Sequence, residues 1–355
     1  MFNRDGSEEI ICRILDEGDE MKSLLKYKTC SAMLEILGLA VAMIASVAFQ
    51  APSQAGTVTF GTGRNQFSIE FVKIGSPGNS PDNMGSPLGC GSVGYEYEIG
   101  KYEISEDMIA KFNASQSLQI EMGNRGPNKP ATMVTWNNAA RFVNWLNTST
   151  GGFNAYKFTT GGAGDNISLW TPEDLLDYDP NNFYRSKRAR YVLPSNDEWY
   201  KAAYYNPNDS LYYMFPGMNI SPTPVRSGTA DRSAVYCQTY FGTGPADVTQ
   251  AGGLSPFGVM AMAGNVVEWV ETAYDLRNDS ALEFRTFRGG GWFNTPEETA
   301  KTNRSFNRTT GGGGGETGFR VAIVSPSSPV PEPSSLVIGT LFGLGGLLAK
   351  RRMKR

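Results

Sequence analysis

Three stretches of this chain carry a helix-start signal that leads into a helix-forming run, and long turn-rich connections separate them. Ser105 precedes Glu106 and Asp107, with Ile109 and Phe112 at helical spacing. A hydroxyl that accepts from the backbone, followed by two acids at the positive end of the helix dipole, favours a start there. Thr135 precedes Trp136, Ala139, Ala140, Val143 and Leu146, which line one continuous inner face. The stretch SNDE at 195–198 is a capping box pairing Ser195 with Glu198, bracketed by Pro194 and Pro207. Around these signals the chain is rich in glycine, 41 in 355 residues, and shows no repeat period. Strand-like runs are short, at 69–74, 95–104, 286–292 and 319–324, and 150–190 reads as a polar, mostly looped excursion. Few short helices, short strands and many loops predict an α+β domain with much irregular structure.

The two ends read as targeting segments rather than fold. From Met21 a basic start leads into the apolar run 36–49 and then to small residues at Ser53 and Ala55. That is the layout of a secretory signal over residues 21–55. Residues 1–20 carry Asp5, Glu8, Glu9, Asp16, Glu17, Asp19 and Glu20, the wrong charge for the head of such a signal. They are expected to be a non-native extension, with translation starting at Met21. Residues 56–325 then form the mature domain. A Pro/Ser-rich linker over 326–333 leads to an apolar anchor and a basic tail over 334–355, which ends KRRMKR.

Composition narrows the chemistry. Histidine is absent and the formal charge is −3. The first removes imidazole acid–base catalysis and the commonest transition-metal ligand; the second leaves no basic footprint for nucleic acid. A bound metal is expected to be a hard cation held by oxygen. Cys12 and Cys30 precede the expected cleavage, so Cys90 and Cys237 remain in the mature chain. They form either one disulfide or two free thiols.

Four segments, in order, carry a family resemblance: PATMVTWNNAARFVNWLN, YVLPSNDEWYKAAYY, SPFGVMAMAGNVVEW, and FRGGGW followed later by GFRVA. Over residues 66–324 they resemble the sulfatase-modifying-factor family, to which the formylglycine-generating enzymes belong. The resemblance implies a C-type-lectin-like fold with 288–308 on its exposed, ligand-facing side. It also implies where copper(I) would sit, between two cysteine thiolates. The matching positions here are Asn294 and Thr299, so no copper is expected. For calcium, the resemblance implies a carboxylate from Glu268 and backbone oxygens from Gly264 and Val266. The alternative is that Glu268 is a buried carboxylate that locks its loop.

The segment after Arg288 also resembles the ligand-binding region of variable proteins built on the same lectin-like scaffold. In that reading Trp292, Asn294, Asn303, Arg304, Asn307 and Arg308 form a ligand-binding surface, with a stacking face, amides and forked guanidinium donors. Arg288 and the glycines act as scaffold. At the other end Val330, Pro331, Glu332 and Pro333, the apolar run and the basic tail resemble the PEP-CTERM sorting signal of Gram-negative bacteria. This implies an exosortase-type processing enzyme, transient inner-membrane retention, and release to the envelope or exterior. The function expected is that of an exported ligand-binding or structural envelope or matrix protein, with a polysaccharide or protein ligand. The alternative is a formylglycine-generating-type oxidase or another enzyme of the family.

The tail gives the first test. Deleting 350–355 should release or mistarget the protein, because the basic residues hold the anchor at the cytoplasmic face. Fractionation of membrane and medium checks this, and an unchanged distribution contradicts it.

Overall fold

The computed structural model describes residues 56–161, 167–239, 242–309 and 314–325, with 306–309 as backbone only. The chain divides into two units, Met1–Ala51 and Pro52–Arg355, and every described residue belongs to the second. The expected extension, signal peptide, linker and anchor lie outside the described residues. Among the described residues no helix is long and apolar enough to cross a membrane.

The three helix starts hold. Helix α1 spans Glu106–Ser115, and Ser105 accepts from Met108 N while Ile109 and Phe112 are buried. Helix α2 spans Trp136–Ser149, with Thr135 accepting from Asn138 N at 3.1 Å. Helix α3 spans Asn196–Tyr204 behind the complete Ser195–Glu198 capping box. Glu198 does more than cap. It is fully buried and pairs with Arg185, which also binds Glu271, so the start of α3 is pinned inside a charged network.

Two sheets flank these helices. In the first are β1 (Gly56–Phe60), β2 (Phe67–Ile74), β3 (Tyr97–Gly100), β4 (Tyr191–Val192) and β9 (Ala322–Ile323), in the antiparallel order β1-β2-β3-β9-β4. Strand β2 alternates buried and exposed over much of its length, as a strand with one wet face must. Asn147 of α2 satisfies the edge strand β4: its amide donates to Tyr191 O at 2.7 Å and accepts from Tyr191 N at 3.0 Å. This reproduces a ladder pair with a side chain.

The second sheet holds β5 (Val267–Ala273), β6 (Phe284–Arg288), β7 (Ser305–Thr309) and β8 (Thr317–Phe319), in the order β7-β6-β5-β8. Strands β5 and β8 run parallel, and the other pairs run antiparallel. The run 95–104 is thus one four-residue strand, after which Lys101 N bonds to Glu70 O and the chain turns away. The run 319–324 is not one strand: β8 and β9 belong to different sheets, with Arg320 at the crossing. Buried indoles tie the layers together, Trp136 donating to Val270 O at 3.0 Å and Trp269 to Val134 O at 2.8 Å.

Beside the crossing lies a second buried carboxylate. Glu103 accepts from Asn265 Nδ2 at 2.7 Å and from Val266 N at 3.3 Å. Burial, and then the neighbouring Glu268 charge, push Glu103 up to about 8, against the pull of Arg320. The folded chain therefore holds this proton more tightly than the unfolded one. The stability contributed is complete below about pH 4.3, the ordinary glutamate value, and is lost as pH rises towards 8. Glu103→Gln should remove that loss, so its melting temperature relative to wild type should climb between about pH 5 and about pH 8. A pH-independent difference would contradict the assignment.

Candidate functional site

Strands β5 and β6 pair with Glu268 opposite Arg288 and Trp269 opposite Phe287. Just past Arg288 the strand ends, because Gly289 and Gly290 take φ of +92° and +69°. Those angles lie in the left-handed region that side-chain-bearing residues avoid. The chain then turns over Gly291. Asn294 Oδ1 accepts from Gly291 N at 2.6 Å, and its Nδ2 donates to Glu298 Oε1 at 2.9 Å. Glu298 Oε2 accepts from Thr295 N at 2.8 Å, closing a short 3-10 turn over Pro296–Thr299.

Arg288 ties the loop from below. It is buried and donates to Asn196 Oδ1 at 2.9 and 2.6 Å, to Asn303 O at 2.7 Å, and to Ser86 O. All of these acceptors are neutral, and burial lowers its pKa below the usual guanidinium value. The far end is held by a buried ion pair, Lys301 to Asp82 at 2.7 Å, with Tyr200 donating to the same carboxylate at 2.8 Å.

Between this loop, β5, β7 and β8 is a cleft of about 240 Å3. Val267 and Phe287 give it an apolar wall, and Gly289 and Gly290 a bare backbone floor. Asn294, Asn303 and Ser305 line it on the polar side, with the carboxylates of Glu298 and Glu316. Asn303 and Ser305 bond to each other at 3.0 Å.

The expected ligand-binding residues are only partly brought together. Asn294 and Asn303 line the cleft. Arg304 lies outside that lining and stacks on Tyr274 at 4.3 Å. Asn307 and Arg308 fall in β7, where side chains are outside the described residues. Trp292 offers no stacking face. It is fully buried with Val235, Met260 and Val266, and Arg125 covers its ring at 4.8 Å. The physical reason is a bond across the chain: Trp292 N bonds to Asn265 O, which folds the residue after the glycines inward. Sequence reasoning missed Ser305, Glu298 and Glu316. The capping pattern Thr295–Glu298 was legible, but Glu316 reaches the cleft only through the pairing of Val267 with Thr317.

The two metals implied by the resemblance can be tested against these residues. For copper, Asn294 is an amide bonded at both ends, and Thr299 is a buried hydroxyl donating to Pro296 O at 2.8 Å. Neither is a soft donor, so the set does not fit copper(I). Cys90 and Cys237 are both free, the first buried and the second exposed. Burial pushes the Cys90 thiol up to about 11.

For calcium, Glu268 is fully buried, with Oε2 accepting from Arg320 Nε at 2.6 Å and Trp199 Nε1 at 2.8 Å, and Oε1 paired with Arg320 NH2. A guanidinium sits where a cation would have to sit. With both Glu268 oxygens taken by Arg320 and Trp199, the set Gly264, Val266 and Glu268 lacks the free carboxylate that would hold calcium, which takes six to eight oxygens.

The family model of the sulfatase-modifying factor enzyme 1-like domain matches residues 70–324. The chain belongs to this family. Among solved structures it is similar to Treponema denticola variable protein 1, with 18% identity and a TM-score of 0.53 over 75% of this chain and 98% of that one. It is equally similar to CarF, with 18% identity and a TM-score of 0.53 over 72% and 98% of the two chains. PvdO from Pseudomonas aeruginosa is 17% identical over 76% and 92%, with a TM-score of 0.44. No curated protein matches. At these identities the structural likeness shows the fold, the α+β C-type-lectin-like architecture of the family.

The Glu268–Arg320 pair separates an ion-pair lock from a calcium site. Glu268→Gln should destabilise the domain by about 3–5 kcal/mol, the cost of leaving one partner of a buried pair uncompensated. Chelator or added calcium should leave the wild-type melt unchanged; a calcium-dependent melting temperature would contradict the lock.

Proposed function

We propose that this protein is exported, is anchored transiently in the membrane, and binds a ligand in the cleft beside Asn294 and Asn303 without oxidising it. One observation carries the reading. The positions matching the copper cysteines of the family's oxidases are an amide and a hydroxyl already engaged within their own loop, yet a polar cleft stays open beside them. The scaffold thus keeps a shaped surface while its donor chemistry differs. Binding asks for no more than that.

Export and anchoring rest on the sequence: the signal-like segment 21–55, and Val330, Pro331, Glu332 and Pro333 ahead of the apolar run and basic tail. The partners in this reading are an exosortase-type processing enzyme and a surface ligand of the envelope or matrix.

The test uses the residues whose side chains face the cleft without holding the loop. Asn303→Ala with Ser305→Ala should leave the melting temperature within a few degrees, since surface substitutions cost within about 0.5 kcal/mol each. The pair should nevertheless abolish retention on native envelope material. Wild-type protein supplied with copper should produce no formylglycine on a cysteine-containing sulfatase peptide. Unchanged retention would sink the binding reading, and peptide oxidation would restore the enzymatic one.

A further inference from the structure

The cleft carries a charge pattern that narrows its ligand. Two carboxylates line it, Glu298 and Glu316. Glu298 is partly committed, each oxygen accepting from one neutral donor, Asn294 Nδ2 or Thr295 N. Glu316 is different. Among the described residues its carboxylate has neither a hydrogen-bond nor an ion-pair partner, while its backbone carbonyl accepts from Val267 N, and it is half-buried at the cleft wall. Gly291, just outside the lining, would bring a Cβ to 3.3 Å from Asn294 Oδ1, 3.4 Å from Val267 Cγ2 and 3.7 Å from Glu316 Cβ, so the apolar and acidic walls approach each other closely there.

Among the described residues, the positive group in the lining is Arg288, whose single charge offsets only part of the two carboxylates. Arg288 lines the cleft, but it is 2% exposed and its donors serve Asn196, Asn303 O and Ser86 O. Arg304 is turned onto Tyr274 and is not part of the lining. Among the described residues the lining thus carries two carboxylates and one buried guanidinium. A half-buried carboxylate whose oxygens have no described partner favours a cationic partner, because a charge leaving water is costly unless it is paired. The apolar wall of Val267 and Phe287 fits an alkyl stem, and Trp292, being buried elsewhere, offers no stacking face for a sugar ring.

We infer that the cleft takes a primary alkylammonium group, the lysine side chain of a protein partner, with its stem along Val267 and Phe287 and its head at Glu316 and Glu298. This assignment rests on the cleft being the binding site, and it adds the class of ligand. Asn303 and Ser305, on the opposite wall, supply an amide and a hydroxyl for the partner's neighbouring polar groups.

The test titrates the full chain with Nα-acetyl-L-lysine N-methylamide, read by saturation-transfer NMR. Its Nε-acetylated counterpart and D-glucosamine serve as the comparison probes. The lysine probe should bind, and Nε-acetylation should weaken it at least about tenfold. Binding should fall as salt rises, because the pair is partly open to screening. Glu316→Gln should weaken the probe about five- to tenfold, a range set by one charge-assisted contact.

Equal binding of the acetylated probe, or an unaffected Glu316→Gln, overturns the ammonium assignment. Tighter binding of D-glucosamine overturns the lysine and points to an amino sugar. If the lysine probe fails while Asn303→Ala with Ser305→Ala still abolishes envelope retention, the ligand class is wrong and the binding site stands. If both fail, the cleft itself is not the site.

Discussion

The buried pair between Glu268 and Arg320 is the joint on which this domain depends. Both residues are fully buried, and both carboxylate oxygens are engaged by the guanidinium, with Trp199 of α3 as a third partner. The remaining guanidinium donors reach Gly100 O at 2.9 Å and Met260 O at 3.0 Å. Placing two charges in an apolar interior costs several kcal/mol per ion, and only near-complete hydrogen bonding offsets it. Here that condition is met by groups from both sheets, one helix and one loop. The pair is therefore better understood as a specificity device than as a reserve of stability. It accepts one arrangement of β5 against the crossing between β8 and β9, and the register of β5 with β6 then places Arg288 beneath the cleft.

That dependence explains which parts of the molecule could be read from the sequence. Helix starts are local chemistry, so Ser105, Thr135 and Ser195 announced themselves within four residues. The family motifs carried the fold, because their order survives where pairwise identity is low. What failed was non-local. The run 319–324 looks like one strand, yet Arg320 must face inward between two sheets, and the strand breaks there. Trp292 looks like a recognition residue because aromatics after glycine turns so often are. Its burial depends on Asn265 and on the second apolar cluster, which nothing near residue 292 specifies. Glu316 sits at the cleft through a parallel pairing across some fifty residues of chain, a relation with no sequence signature.

The cleft shows how a scaffold can keep a site's shape while changing its donors. Asn294 bridges Gly291 N and Glu298, and so performs a structural task that a thiolate could not. Thr299 is likewise turned into its own 3-10 turn. The loop is thus more tightly self-bonded at these two positions than a metal-binding pair could be, since a ligand atom cannot spend the same lone pairs twice. The side chains left to face the cleft come from elsewhere, from Asn303, Ser305 and Glu316.

The late position of the crossing segment has a kinetic consequence. Strand β9 joins β3 to β4, and Arg320 bonds to Gly100 across 220 residues of chain. Neither sheet has its full complement until the last residues of the domain arrive, and contacts of such high sequence separation form slowly. A nascent chain halted before residue 317 lacks the member that each sheet needs. The domain therefore closes as a unit only once its final segment is present, and its two sheets are completed by the same stretch of chain.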